Sequence, residues 1–264
     1  MIAPMMQYTD RHFRYLMRLL SPQAILFTEM ITAEAIIHTK KRAKHLDFSP
    51  EERPVILQVG GSNPSILARA ATIANQWKYD GINLNAGCPS TRVQSGSMGA
   101  CMMKNAENLA NCYRALQDHF NGPVSIKTRI GVDEYEGDAF LDELINTVVH
   151  AGCNEWIIHA RKAWLNGLNP KQNRSIPPLN YDTVIRLTKT FPNQKFYLNG
   201  GIQNTDQALH YLPKCSGIMI GRAAANNPLW FHQLSQTIYP NQKHHPVDKI
   251  ITNYIKYIEN YCID

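Results

Sequence analysis

No stretch of this 264-residue chain approaches the apolar length of a membrane helix, and Met1 to Met6 carry neither a basic flank nor a long apolar run. The expectation is a soluble, cytoplasmic protein. The six cysteines contain no Cys-x-x-Cys pair, which removes the usual zinc spacing and any compact secreted disulfide framework. Cys101, Cys112, Cys153, Cys215 and Cys262 are accordingly expected to be structural or incidental. His12, His38, His45, His119, His150, His210, His232, His244 and His245 lack ligand spacing, so they are read as surface or capping residues and no metal site is expected. There is no long lysine or arginine block, although the net charge is +6; that balance fits either an anionic partner or an ordinary basic enzyme. No Gly-x-Gly-x-x-Gly follows the first apolar run, which disfavours a dinucleotide-binding open sheet.

What is present is an alternation. Short β-rich runs occur at Ile2-Ala3, Ala24 to Phe27, Val55 to Val59, Ile82 to Leu84, Val124 to Ile126, Trp156 to Ile158, Lys195 to Leu198 and Gly217 to Ile220. Amphipathic stretches separate most of them, such as Pro64 to Trp77, Ala106 to Phe120, Ala139 to His150 and Thr205 to Leu212. Eight strand–helix units at this length predict an α/β fold, a (β/α)8 TIM barrel over residues 1–238. Residues 239–264 read as a Pro/His/Lys-rich linker and the start of a small helical region, Val247 to Ile263.

The carboxyl ends of barrel strands carry catalytic groups, because the loops there aim side chains into one shared mouth. Cys88 sits in Asn85-Ala86-Gly87-Cys88-Pro89-Ser90, a Gly/Pro-punctuated turn directly after a strand, and is a candidate acid or nucleophile. Other strand ends offer Pro4-Met5-Met6, Glu29, Gln58, Lys127 with Arg129, His159 with Arg161, Asn199-Gly200-Gly201 and Gly221-Arg222. The glycine turns after strands seven and eight, with Arg222, either cradle a phosphate or merely tighten the barrel. Gln58 and Lys127 suit a flat ring with carbonyl and imide edges, for which flavin mononucleotide (FMN) is the simplest candidate.

These motifs resemble the tRNA-dihydrouridine synthase family. The segment from His159-Ala160-Arg161-Lys162-Ala163-Trp164 through Lys171-Gln172-Asn173-Arg174 to Leu179 is similar to the signature of its A-type bacterial branch. Ala3-Pro4-Met5-Met6, Thr9-Asp10-Arg11-His12, the Cys88 motif, Lys127-Thr128-Arg129-Ile130-Gly131 and Asn199-Gly200-Gly201-Ile202 match as well. The resemblance runs to about Trp230. It implies reduction of the uridine C5–C6 bond in the tRNA D-loop, at U20 and U20a, with FMN recharged by NADPH. It places Pro4, Met5, Met6, Gln58, Lys127, His159, Asn199, Gly200, Gly201, Gly221 and Arg222 at FMN, Cys88 as proton donor, and Asn85, Lys171 and Arg174 against the tRNA. Arg129 and Arg161 are expected to join Lys171 and Arg174 in an electropositive rim.

A flipped uridine over the flavin needs a proton at C5 on the face opposite the hydride, a task a neutral thiol can perform. The sequence departs from the family at its ends, stopping where relatives continue into a helical RNA-gripping domain, so a complete flavin site with weakened RNA affinity is expected from a monomer. Two rival readings are an FMN-dependent reductase of a free small molecule, which the basic loop from Arg161 to Arg174 argues against, and a non-catalytic flavin- or RNA-binding remnant.

Overall fold

The computed structural model describes residues 1–261. Among these residues one parallel sheet contains β1 (Leu26–Phe27), β2 (Ile31–Thr32), β3 (Val55–Gly60), β4 (Gly81–Ala86), β5 (Val124–Arg129), β6 (Glu155–His159), β7 (Lys195–Asn199) and β8 (Gly217–Met219). Neighbours run β1-β3-β4-β5-β6-β7-β8, with β2 also on β3. The circle closes through the N-terminal segment: Ile2 N–H donates to Ile25 O at 3.0 Å, Ala3 N–H to Ile220 O at 2.8 Å, and Ile220 N–H to Met1 O at 3.0 Å. The eight staves are those of a (β/α)8 barrel.

Two staves are less regular than expected. Ile2-Ala3 makes only a bridge to Ile220, because Pro4 follows with no N–H to continue the ladder. The second stave is split into β1 and β2. Between them the Thr28 hydroxyl accepts from Gln58 N–H at 3.0 Å, so a side chain replaces a backbone rung. The helices Pro64–Ala74, Ala106–His119, Asp138–Val149 and Thr205–Tyr211 lie where the periodicity puts them, three with an asparagine cap (Asn63, Asn105, Asn204).

Strand alternation divides the core. Leu57, Val59, Leu84, Ile126, Ile158 and Leu198 face outward into the layer shared with the helices. Phe27, Ile157 and Met219 plug the interior. Above that plug, toward the carboxyl ends, the inward positions turn polar: Asn85, Lys127, His159 and Asn199. The apolar floor and polar upper layer make a mouth.

The first helix, Arg11–Leu20, receives both C-terminal helices, Pro228–Ile238 and Val247–Tyr261. Tyr257 stacks on Tyr15 at 3.8 Å between centroids, and the Ser21 and Ser235 hydroxyls bond at 2.8 Å. Of the two roles expected for His232, surface or capping, it has the second: it is buried, with Nδ1 2.6 Å from Leu20 O at the end of the first helix. Cys112 and Cys153 are buried thiols that burial pushes up to about 12. Cys101 and Cys215 are half-buried, and Cys262 lies outside the described residues. Among the described residues no helix is long and apolar enough to cross a membrane.

Candidate active site

The turn after β4 is held from four sides. Asn85 Oδ1 accepts the N–H of Gly87 at 3.1 Å and of Cys88 at 3.0 Å, so a short side chain at the strand end closes its own turn. Cys88 O accepts from Ala100 N–H at 2.9 Å, Gly87 O from Arg129 Nε at 2.9 Å, and Pro89 O from Gln94 Nε2 at 2.8 Å. Cys88 itself is half-buried with a free thiol.

Gly99, which the sequence reading missed, packs against this turn. It has φ +66°, and a Cβ there would stand 2.4 Å from Cys88 O. Gly99→Ala is therefore expected to lower stability by about 2 kcal/mol, from the left-handed backbone and the displaced Cys88 turn. Urea unfolding measures this, and a midpoint equal to that of the wild type would show that the turn yields freely.

Below the turn runs an amide chain. Asn85 Nδ2 donates to Gln58 Oε1 at 3.0 Å, Gln58 Nε2 to Asn83 Oδ1 at 2.8 Å, and Asn83 Nδ2 to Ser125 Oγ at 2.9 Å. Gln58 is 1% exposed, because β3 continues two residues beyond it, and it is not displayed at the mouth as expected. Asn85 is likewise buried, with both amide atoms turned inward, rather than standing free for RNA. Asn83, absent from the sequence reading, is fully buried and ties Gln58 to Ser125.

The cations lie around and above this layer. Lys127 Nζ donates to Asn199 Oδ1 at 2.9 Å, and Asn199 Nδ2 donates to Met219 O at 2.8 Å. Burial, then the charge of Arg129, pushes Lys127 down to about 7. Arg129 is a correction to the expected rim: it is 4% exposed and bonds three carbonyls, Gly87 O, Lys162 O at 3.1 Å and Asn173 O at 3.0 Å. Burial lowers it to about 10. It ties the Cys88 turn to the loop after β6. His159 is held well below the usual imidazole range by burial and by Arg129, Lys127, Arg161 and Arg222, so its ring is neutral.

The loop after β6 is ordered by Asn173, fully buried and also missed. Asn173 Oδ1 accepts from Trp164 N–H at 2.7 Å while Nδ2 donates to Trp164 O at 2.8 Å and Leu168 O at 3.0 Å. Lys171 and Arg174 stand exposed at its far end, and Arg222 reaches across to Arg174 O at 3.2 Å. Arg161 bonds the carbonyls of Ser175 and Pro177, and its Nε is buried with no partner. Among the described residues none of Lys127, Arg129, Arg161, Lys171, Arg174 or Arg222 has a carboxylate within 4.0 Å.

Uncompensated cations at a concave mouth favour an anion. The backbone beside them is shaped for close approach. Gly200 has φ +113° and Gly201 φ +70°, and Cβ atoms there would meet His159 Cδ2 at 2.5 Å and Leu179 Cδ1 at 2.3 Å. A Cβ at Gly221 would meet Ala3 and Met5 at 3.4 Å, where the first and last staves come together. Pro4 and Met5 are half-buried there, and Met6 is 57% exposed.

Residues 1–262 match the family model described as dihydrouridine synthase. The tRNA-dihydrouridine(20/20a) synthase of a Synechocystis species is 47% identical over 259 residues, 98% of this chain and 77% of that protein. The Shewanella oneidensis protein of the same name is 49% identical over 242 residues, covering 92% and 72%, and that of Escherichia coli K12 is 51% identical over 228 residues, covering 86% and 66%.

Proposed function

The chain belongs to the dihydrouridine synthase family, and on that premise we propose that it reduces uridine to 5,6-dihydrouridine at positions 20 and 20a of the D-loop of cytoplasmic tRNA. The observation that carries this reading is the fixed Cys88 turn at the carboxyl end of β4, in a mouth with cations that, among the described residues, have no carboxylate partners. An acid is set where a polyanion is drawn in.

Bound there, FMN recharged by NADPH supplies the hydride that adds at C6 of the uracil. Its phosphate fits Arg222, the unpartnered Nε of Arg161 and the backbone of Gly200, Gly201 and Gly221. Lys127, His159, Asn199, Pro4, Met5 and Met6 would hold the ring, with Gln58 acting one layer lower through Asn85. Cys88 Sγ–H delivers the proton to C5, and the thiol is restored from solvent. Asn85 and Arg129 hold Cys88 in place, while Lys171 and Arg174 meet the tRNA backbone. Uridine leaves its stack to reach this depth, as bases do in other enzymes that act on them. Dihydrouridine mapping in tRNA from cells lacking the protein tests the reading: unchanged modification at 20 and 20a would end it.

Lys127 sets a pH dependence. A ring carbonyl that accepts from Lys127 would favour the charged ammonium, so binding is strongest where Lys127 is already protonated and weakens as pH rises past about 7. FMN affinity should fall about tenfold between pH 7 and 9, a range in which the phosphate is already ionised and His159 stays neutral. In Lys127→Met the profile should be flat. Fluorescence titration of the apoprotein measures both, and an equal slope in the variant would remove Lys127 from the linkage.

A further inference from the structure

The turn from Met5 to Thr9 is rigid for reasons that lie behind it. Thr9 is fully buried; Met5 N–H donates to its hydroxyl at 3.0 Å, and the N–H groups of Tyr8 and Thr9 return to Met5 O at 3.1 and 3.0 Å. Gln7, with φ 66°, donates its N–H to Glu29 Oε1, and Thr9 O accepts from buried Arg14 at 2.8 Å. The polar groups of the turn are thus satisfied inward, and two large apolar side chains are left outward at the rim, Met6 at 57% and Tyr8 at 51% exposure.

Exposed single residues are ordinary, but this pair stands beside the reaction site. Met5, at the start of the turn, comes up against Gly221, and the adjacent Arg222 reaches Arg174 O at 3.2 Å. Beyond it Ile176 is 58% exposed on the facing loop. Among the described residues no aromatic ring or cation lies against the Tyr8 ring. The carboxylates bordering the turn accept backbone N–H groups, Asp10 from Phe13 at 2.8 Å and Glu29 from Gln7, and among the described residues neither forms an ion pair with the cations across the mouth.

Cations that take phosphates next to an open aromatic face form the surface that single-stranded nucleic acid recognises, with backbone on charge and base on ring. Resting on the tRNA reading above, we propose that Tyr8 is a positioning residue that stacks an unpaired base adjacent to the reacting uridine. Holding the backbone that carries Tyr8 beforehand lowers the entropic cost of the stack. A base held there fixes the strand while its neighbour turns down toward Cys88.

Stacking and charge separate by salt. Tyr8→Ala is expected to weaken tRNA binding about ten- to a hundredfold, the range of one base–aromatic stack, with KM raised and kcat nearly unchanged. The slope of log affinity against log salt should stay that of the wild type, whereas Arg174→Ala should make it shallower by about one. Tyr8→Phe should behave as the wild type, and FMN content should be equal in all three variants. If Tyr8→Ala binds within twofold of the wild type, changes the salt slope, loses flavin, or is matched by Tyr8→Phe, the stacking role is overturned. A wild type that forms dihydrouridine in the same experiment confines that failure to Tyr8; one that neither binds tRNA nor forms dihydrouridine overturns the functional reading and the stack with it.

Discussion

Cys88→Ala is expected to slow dihydrouridine formation about a hundred- to ten-thousandfold, the range of a positioned general acid, while FMN stays bound and is still reduced by NADPH. The separation follows from where the side chain acts. What holds the turn is backbone: the N–H of Cys88 on Asn85 Oδ1 and its carbonyl on Ala100 N–H. Neither bond involves the thiol, so alanine leaves the turn in place and removes only the proton destined for C5. Single-turnover mixing reads the two half-reactions apart, first bleaching of the flavin by NADPH and then its return on adding tRNA. Wild-type return in the variant would show that another group donates the proton. Loss of the first half-reaction would show that Cys88 supports the flavin site instead.

The alternation of strand and helix was legible in the sequence because burial on both faces writes continuous apolar runs for strands and a three-to-four spacing for helices. Depth along the barrel axis was not. Gln58, Asn85 and Arg129 all stand at inward positions near strand ends, which is as far as a period of two can take the reading. Whether such a residue reaches the mouth depends on how far its strand runs past it and on which neighbours claim its polar atoms. β3 overshoots Gln58, the Asn85 side chain folds back on its own turn, and three loop carbonyls converge on Arg129. Gly99 and Asn173 were invisible for a related reason. Each serves a segment distant in sequence or a loop without periodicity, so only the tertiary contact identifies it. Cys88, Lys127 and the Gly200-Gly201 pair carry local signals, and the strands β4, β5 and β7 do end at or beside them.

Glu52→Ala is expected to destabilise the protein by about 3–5 kcal/mol, which at this size lowers Tm by about 10 °C. Glu52 is 0% exposed, with one oxygen 2.7 Å from Arg14 Nε and the other accepting Ser49 N–H at 2.7 Å. Burial raises its carboxyl above the ordinary value in spite of Arg14, so desolvation outweighs the attraction and the pair is not itself a large stabiliser. Removing one member is costly because it leaves the Arg14 charge in the core without its partner. Glu52→Ala with Arg14→Met, which buries no charge, should therefore recover most of the lost stability. It should not recover function, since Arg14 also donates to Thr9 O and so backs the turn that carries Met5, Met6 and Tyr8. Thermal unfolding beside tRNA binding separates the two roles. A double variant as unstable as Glu52→Ala would show that packing rather than the unpaired charge sets the loss, and one that binds tRNA as tightly as the wild type would show that the turn needs no support from Arg14.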